Sequence, residues 1–170
     1  QQPEGGQQPQ RAAQERLQGL HGDFPHVASP CLRPAPALVC LLALLGQNGL
    51  KFYRTAVAGT ENGTNGLIAS DDVVLIKVNA QWKYRGCTNS DVVRGLVQRI
   101  LEHPQGFTGE VVIVENGQGR GSLACDTSSS YGGNTEVHAN AQDESHSFLW
   151  LVNSLFNDPR VAAPQEAPDL

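Results

Sequence analysis

Within residues 71–121, two short apolar runs flank a segment that has helical periodicity. The first run, at 73–78, reads VVLIKV, and the second, at 111–114, reads VVIV. Both are rich in β-branched residues, as expected of strands that are buried on both faces of a parallel sheet. We therefore predict one strand at 73–78, interrupted by Lys77, and a second at 111–114 that ends just before Glu115.

The segment between the two runs carries one apolar stripe. Its members recur at i, i+1, i+4, i+5, i+8 and i+9, and they are Val92, Val93, Leu96, Val97, Ile100 and Leu101. This spacing predicts a helix that begins near residues 88–90, where Thr, Asn or Ser can cap it, and that ends at His103-Pro104. Arg94, Gln98 and Arg99 are predicted to face outward. Strand, helix and strand together predict a parallel βαβ unit with a right-handed crossover.

Further segments complete the predicted fold. The apolar run at 37–45, with prolines before it and Gly46 after it, predicts a buried helix. LKFYRT at 50–55 predicts a short strand, and GTENGTNG at 59–66 predicts a loop. Small polar residues at 122–145 predict a long loop, and the amphipathic segment at 145–157 predicts a helix packed on the sheet. The expected fold class is α/β: an open, mostly parallel sheet with flanking helices and a Rossmann-like βαβ core.

Composition sets the expected domain boundaries. Hydrophobic residues make up 39% of the chain, and it contains 18 glycines and 10 prolines, so part of it should lie outside a packed core. Residues 1–34 are rich in Gln and Pro and are expected to be disordered. A single α/β domain is expected at 35–157, followed by a disordered tail at 158–170.

Charge and cysteine spacing narrow the classes of partner. Twelve basic residues against 17 acidic ones give a net charge of −5, and no basic cluster occurs, so a nucleic-acid partner is not expected. The apolar run at 35–45 is about half as long as a bilayer-spanning helix, so no membrane span is expected. The four cysteines are widely spaced without a CxxC, which favours neither a zinc site nor a disulfide framework. A cytoplasmic location is the default expectation.

Polar residues concentrate where the two predicted strands end. The carboxyl ends of parallel strands meet at one edge of a sheet. The predicted unit therefore brings together three groups of residues, at 79–85, 87–90 and 115–121. Candidate catalytic residues are Lys77 and Glu115, and candidate ligand-binding residues are Asn79, Trp82, Arg85, Thr88, Asn89, Asn116, Gln118 and Arg120. Free backbone N–H groups at a helix start also favour an anion. The set predicts a small polar or anionic ligand, such as a phosphorylated or carboxylated molecule.

Each of these signals has a structural alternative. Lys77 either faces a ligand or extends into solvent from the strand edge. Glu115 is either a general base or a carboxylate that holds a loop by accepting backbone N–H groups, and Trp82 either stacks on a ligand or packs under its loop. The glycines at 117, 119 and 121 resemble a phosphate-binding loop but lack the dinucleotide spacing GxGxxG.

Two further groups have chemical potential. Cys87, near the predicted helix start, is either a nucleophile with a lowered pKa or a small buried thiol. His138, Asp143 and His146 are three potential metal ligands within nine residues. Loops of this composition are common without metals, so no metal site is predicted, and the sequence assigns no cofactor.

Several long segments resemble a known family. These segments are DDVVLIKVNAQW, RGCTNSDVVRGLVQRILEHPQGFTGEVVIVENGQGRGS and NAQDESHS, with LLALLGQNGLKFYRT upstream. They are similar to the domain-of-unknown-function family numbered three hundred and sixty-two, over roughly residues 35–157. The resemblance implies an α/β core and directs attention to Lys77, Asn79, Thr88 and Glu115, without assigning them roles.

The same resemblance implies two differences from other members of that family. Some members carry iron–sulfur segments, but this chain has no cysteine run that matches them, so no cluster is implied here. Members are generally longer, which implies a truncated member and an incomplete sheet.

These observations leave three functional hypotheses. The leading one is an α/β domain that binds a small polar or anionic ligand at its strand ends, as the N-terminal part of an enzyme. The alternatives are a non-catalytic module that binds carbohydrate or protein, and an inactive fragment. Whether the protein is an enzyme, and its oligomeric state, stay open at the level of sequence.

Overall fold

The computed structural model describes residues 36–80, 86–115, 123–126 and 135–164, which belong to one compact unit. In chain order the elements are helix α1 (Pro36–Gln47), strands β1 (Tyr53–Arg54), β2 (Asn62–Gly63) and β3 (Val73–Lys77), helix α2 (Ser90–Leu101), strand β4 (Glu110–Val114), the short helix α3 (Phe148–Trp150), a π-helix (Leu151–Phe156) and strand β5 (Val161–Ala162). The lead predicted at 1–34 lies outside the described residues.

All the paired strands run parallel. One open sheet has the order β3-β4-β5, and a separate two-stranded sheet pairs β1 with β2. The long ladder joins β3 to β4 from Val73–Glu110 at one end to Lys77–Val114 at the other. Helices and open parallel sheets confirm the predicted α/β class. The register also places the last residues of β3 and β4 side by side.

Helix α2 connects β3 to β4 and begins within the predicted range. Asn89 is its N-cap, and the Asn89 side chain accepts a hydrogen bond from the Val92 amide. Val93, Val97 and Ile100 are buried, which confirms the apolar stripe, although Val92 is about half exposed. These side chains belong to the same hydrophobic core as Val111 and Ile113 of β4.

The predicted outward face of α2 is not solvated. Gln98 is buried, and the side chains of Arg94 and Arg99 are each only about a fifth exposed. The prediction was wrong, and for Arg99 the small β1–β2 sheet and its flanking residues are the reason. Tyr53 of β1 donates a hydrogen bond from its hydroxyl to the Arg99 carbonyl at 2.7 Å, and Arg99 pairs with Glu61.

Strand β3 is buried on one face only, contrary to prediction. Val73 and Leu75 are 64% and 66% exposed, whereas Ile76 and the following Val78 are buried. The apolar run predicted burial on both faces because doubly covered parallel strands have that composition. β3 lies at an edge of its sheet, and none of the described elements covers the face that carries Val73 and Leu75.

Helix α1 is also buried on one side only. Leu38, Leu42 and Gly46 are buried, but Leu41 and Leu44 are about half exposed. The prediction of a buried helix therefore holds for one side of the helix and not for the other. Gly46 is required at the buried side, because a Cβ there would lie 2.1 Å from the Thr60 carbonyl oxygen. The helix end thus packs directly against backbone.

The segment at 59–66 is not wholly loop. Residues Asn62–Gly63 form β2, because the amides of β1 find their acceptors there. The Tyr53 amide donates to the Glu61 carbonyl at 2.9 Å, and the Thr55 amide donates to the Gly63 carbonyl at 3.0 Å. Turn-forming composition indicated a loop, but it did not reveal this two-residue pairing.

The last helical segment starts three residues later than predicted and is mostly π-helical. The Ser147 hydroxyl caps α3 by accepting from the Trp150 amide at 3.2 Å. The segment ends at Asn157, which has a φ of 44° and donates to the Val152 carbonyl. Phe148 and Leu151 are buried, so the predicted amphipathic character is confirmed.

Part of the predicted tail, residues 158–164, lies within the described structure. Val161–Ala162 pair with β4 and extend the sheet, so the prediction of disorder from 158 onward was wrong for these residues. Two contacts explain the order. Arg160 forms an ion pair with Asp158 at 2.6 Å, and its guanidinium also donates to the Phe107 carbonyl. Among the described helices, none is long and apolar enough to cross a membrane.

The Tyr53 hydroxyl generates the first prediction. Burial is the main cause that raises the pKa of Tyr53 above its ordinary value near 10. A raised pKa in the folded state means that the contribution of Tyr53 to stability is fully present below pH about 10 and is lost as the pH rises further. We expect Tyr53→Phe to cost about 1 kcal/mol at pH 8 through the lost hydrogen bond.

The free energy of unfolding of this variant should also fall less steeply at alkaline pH than that of the natural chain, because phenylalanine has no hydroxyl to ionise. Urea unfolding followed from pH 8 to pH 11 measures both effects. An alkaline slope that is the same in Tyr53→Phe and in the natural chain would contradict a raised pKa of Tyr53.

Asp158 generates the second prediction. Hydrogen bonds from Arg160 lower the pKa of Asp158 to about 2. A carboxyl group whose pKa is lowered by folding stabilises the folded state above pH about 4. This contribution is lost as the pH falls toward 2. We expect the free energy of unfolding of Asp158→Asn to fall less steeply than that of the natural chain between pH 4 and pH 2. Because the pair is partly exposed, the difference should not exceed about 1 kcal/mol. Parallel slopes would exclude the ion pair as a source of stability.

Candidate functional site

Five of the predicted site residues lie near one edge of the main sheet. They are Lys77, Asn79, Thr88, Asn89 and Glu115, and we call this group the strand-end site. Lys77 is the last residue of β3, Glu115 follows β4, and Thr88 and Asn89 precede α2. The remaining candidates, Trp82, Arg85, Asn116, Gln118 and Arg120, lie outside the described residues. The parallel ladder is thus what brings residues 38 positions apart together.

Lys77 and Glu115 form an ion pair of unequal burial. The Lys77 ammonium lies 2.9 Å from Glu115 Oε2, and the lysine side chain is 62% exposed while the glutamate side chain is 4% exposed. The same carboxylate oxygen accepts a hydrogen bond from the Ala80 amide at 3.1 Å. Lys77 also donates to the Val78 carbonyl. Glu115 therefore holds the chain that leaves β3, whichever further role it has.

Asn79 and Thr88 hold the two ends of the segment after β3. The Thr88 amide donates to the Asn79 carbonyl at 2.7 Å, and the Asn79 amide donates to the Thr88 hydroxyl at 2.8 Å. Both contacts use the Asn79 backbone. The reciprocal pair fixes the entry and exit of residues 80–87 beside the ion pair.

The first amides of α2 are bonded within the protein. The Ser90 amide donates to the Asn140 carbonyl, the Val92 amide to the Asn89 side chain and the Val93 amide to the Asn89 carbonyl. A helix start attracts anions through amides that lack a partner. Here the protein itself satisfies these three amides, and Lys77 is the cationic side chain that the described residues place at this site.

Asn140 is a residue whose role the sequence did not reveal. Besides accepting from Ser90, it donates from its side chain to the Cys87 carbonyl at 2.9 Å. The neighbouring Gln142 amide donates to the Asp91 carboxylate at 2.7 Å. The polar composition of residues 135–145 indicated only a loop. The available signal was the segment NAQDESHS, which carries part of the family resemblance.

Cys87 is buried beside a second thiol. Its Sγ lies 3.8 Å from Cys125 Sγ, and both residues are free cysteines. The hydrogen bond with Cys125, followed by burial, raises the pKa of the Cys87 thiol. These surroundings favour the interpretation of Cys87 as a buried thiol over that of a nucleophilic thiolate.

Of the three potential metal ligands at 138–146, Asp143 and His146 lie beside each other, whereas His138 pairs with a carboxylate outside the set. His138 Nδ1 lies 2.9 Å from Glu144 Oε2, and the His146 ring stacks on Trp150 with centroids 3.8 Å apart. His146 also lies near Asp143, with 3.5 Å between Nε2 and Oδ2. In the described parts of the chain, no group of three or more His, Cys, Asp or Glu side chains is placed to hold a metal ion.

A shallow cleft lies at the opposite end of β3. Its volume is about 320 Å³, and its polar lining includes Arg54, Thr55, Ser70 and Gln105. Arg54 is not free there, because it pairs with Asp72 at 2.7 Å. The cleft is therefore a second location where a ligand can be sought, but it contains none of the predicted site residues.

Comparison with protein-family models, curated proteins and solved structures found no match to this chain.

The unequal burial of the ion pair generates a third prediction. Lys77→Ala leaves the buried Glu115 carboxylate with one backbone donor among the described residues, so we expect a loss of about 1–2 kcal/mol in the free energy of unfolding. The same substitution in a Glu115→Gln background should cost less than about 0.5 kcal/mol, because no buried charge is left unpaired.

Arg54→Ala is the matched control. It breaks an ion pair of similar length whose side chains are 48% and 35% exposed, and it should cost no more than about 1 kcal/mol. Urea unfolding of the single and double variants gives the coupling energy. A coupling energy near zero would show that Lys77 does not neutralise Glu115.

Proposed function

We propose that this domain binds a small polar or anionic ligand at the strand-end site, with the Lys77 ammonium as the main contact. One observation carries the proposal: an exposed ammonium group is held at the carboxyl ends of adjacent parallel strands. In open α/β sheets, ligands bind beyond these ends. The buried Glu115 carboxylate also pairs with the Lys77 ammonium, so the position of the ammonium is defined before a ligand binds.

The hydrogen-bonding capacity of Lys77 supports an anionic ligand. An ammonium group has three N–H donors. Within the described chain, two of them are directed to Glu115 and to the Val78 carbonyl. The third is available to a ligand on the exposed side. A phosphate or carboxylate oxygen accepts such a charge-assisted bond more strongly than a neutral acceptor does.

Glu115 supports an enzymatic role only if its contacts change. Its Oε2 is engaged by both Lys77 and Ala80, and the carboxylate is almost fully buried. As a general base it would have to reach a substrate proton at hydrogen-bonding distance. We therefore propose ligand binding as the primary function, with catalysis in a longer protein as its extension.

We also propose that the chain belongs to the domain-of-unknown-function family numbered three hundred and sixty-two and that its βαβ unit is Rossmann-like. The sequence segments that carry the resemblance contain β3, α2 and β4. Lys77, Asn79, Thr88 and Glu115, to which the resemblance directs attention, also meet within the strand-end site.

Thermal unfolding in the presence of small anions tests the proposed function and gives the fourth prediction. The probes are inorganic phosphate, sulfate, citrate and a library of phosphorylated and carboxylated metabolites. A ligand present at ten times its Kd should stabilise the natural chain by about 1.4 kcal/mol. Loss of one charge-assisted bond in Lys77→Ala should weaken binding by about tenfold or more.

Two further variants make the result specific. Lys77→Ala/Glu115→Gln removes the ammonium without leaving a buried charge, so it separates lost binding from lost stability. Arg54→Ala tests the cleft at the other end of β3 and should leave the ligand shift unchanged. Ligand shifts that persist in both Lys77 variants, or that disappear in Arg54→Ala, would refute the strand-end site. If a ligand binds without turnover, the non-catalytic alternative is favoured.

A further inference from the structure

We propose that Cys87 and Cys125 form an intramolecular disulfide and are a reversible oxidation site, independent of the proposed ligand. Their Sγ atoms are 3.8 Å apart although the residues are 38 positions apart in sequence. A disulfide needs about 2.0 Å between its sulfur atoms, so the two have to approach by less than about 2 Å. Rotation about the χ1 bonds moves the two sulfur atoms while the backbone stays in place.

One short segment holds the backbone at both cysteines. The Asn140 side chain donates to the Cys87 carbonyl at 2.9 Å, and the His138 amide donates to the Cys125 carbonyl at 3.0 Å. Residues 138–140 therefore fix the two cysteines relative to each other. This arrangement raises the effective concentration of one thiol at the other above that in an unfolded chain.

The backbone of Cys125 is a second, independent observation. Its φ is +57°, in the left-handed region that residues other than glycine seldom adopt. Such conformations persist only where the surroundings impose them, and they concentrate at functional positions. At Cys125 this conformation accompanies a fully buried side chain whose Sγ faces that of Cys87.

The oxidation uses a small-molecule disulfide as the oxidant. One cysteine thiolate attacks a sulfur atom of that disulfide, forms a mixed disulfide and releases one small thiolate. The second cysteine thiolate then attacks the protein sulfur of the mixed disulfide, forms the Cys87–Cys125 bond and releases the second small thiolate. The two protons of the cysteines pass to the released thiolates, and the small-molecule disulfide takes up the two electrons.

Burial controls the rate of this exchange. Cys87 and Cys125 are both in the hydrophobic core, so small thiols and disulfides reach them only when the structure opens locally. Cys40, on α1, is exposed and reacts without such opening. The test must therefore compare states at equilibrium.

The experiment uses the full chain with Cys31→Ser and Cys40→Ser, which leaves only the proposed pair. The protein is equilibrated, from reduced and from oxidised starting material, in mixtures of reduced and oxidised glutathione, both folded and in urea. Free thiols are then alkylated and counted by mass spectrometry. The quantity compared is the ratio of reduced glutathione squared to oxidised glutathione at which half of the protein carries the disulfide. We expect this ratio to be at least about tenfold higher for the folded chain than for the unfolded chain.

Stability supplies the second readout. Closing this loop should raise the midpoint of thermal unfolding by at least about 5 °C relative to the reduced protein. The Cys125→Ala variant of the same chain should show no such rise with oxidised glutathione. The proposal is overturned if the folded chain forms the disulfide no more readily than the unfolded chain, or if oxidation lowers the midpoint.

Discussion

The parallel ladder between β3 and β4 is the constraint on which the rest of the structure depends. Five residue pairs from Val73–Glu110 to Lys77–Val114 fix where both strands end. Because the pairing is parallel, the chain must cross from one end of the sheet to the other, and α2 makes that crossing. The buried stripe of this helix covers one sheet face. On the other face, Val73 and Leu75 stay exposed among the described elements.

At the end of this ladder, a buried carboxylate needs a nearby positive charge and hydrogen-bond donors. Glu115 is carried into a nearly buried position directly after β4, where an isolated carboxylate would be costly. Lys77 and the Ala80 amide satisfy it. The lysine stays exposed because its long side chain reaches past the strand edge. A single residue thus serves both the stability of the strand ends and the proposed contact with an anion.

Long-range polar contacts order the segments that lack apolar periodicity. Asn140 bonds to both Cys87 and Ser90, although these residues are about 50 positions away in sequence. The His138 amide also donates to the Cys125 carbonyl, which lies 13 positions earlier. The start of α2 is therefore closed by protein groups that come from far along the chain. This closure limits the role of the helix start in binding an anion, and it also brings the two buried thiols together.

The sequence by itself determined the elements whose signals are local. The positions of β3, α2 and β4 follow from β-branched runs and from a 3.6-residue period, and the parallel arrangement of such a unit predicts that Lys77 and Glu115 lie at one edge. Only the tertiary structure decided which faces are covered, because the burial of Val73, Leu75, Gln98 and Arg99 depends on elements that pack from elsewhere. It also decided the pairing of Val161–Ala162 with β4 and the approach of Cys87 to Cys125. These contacts join residues distant in sequence, so no local pattern specifies them.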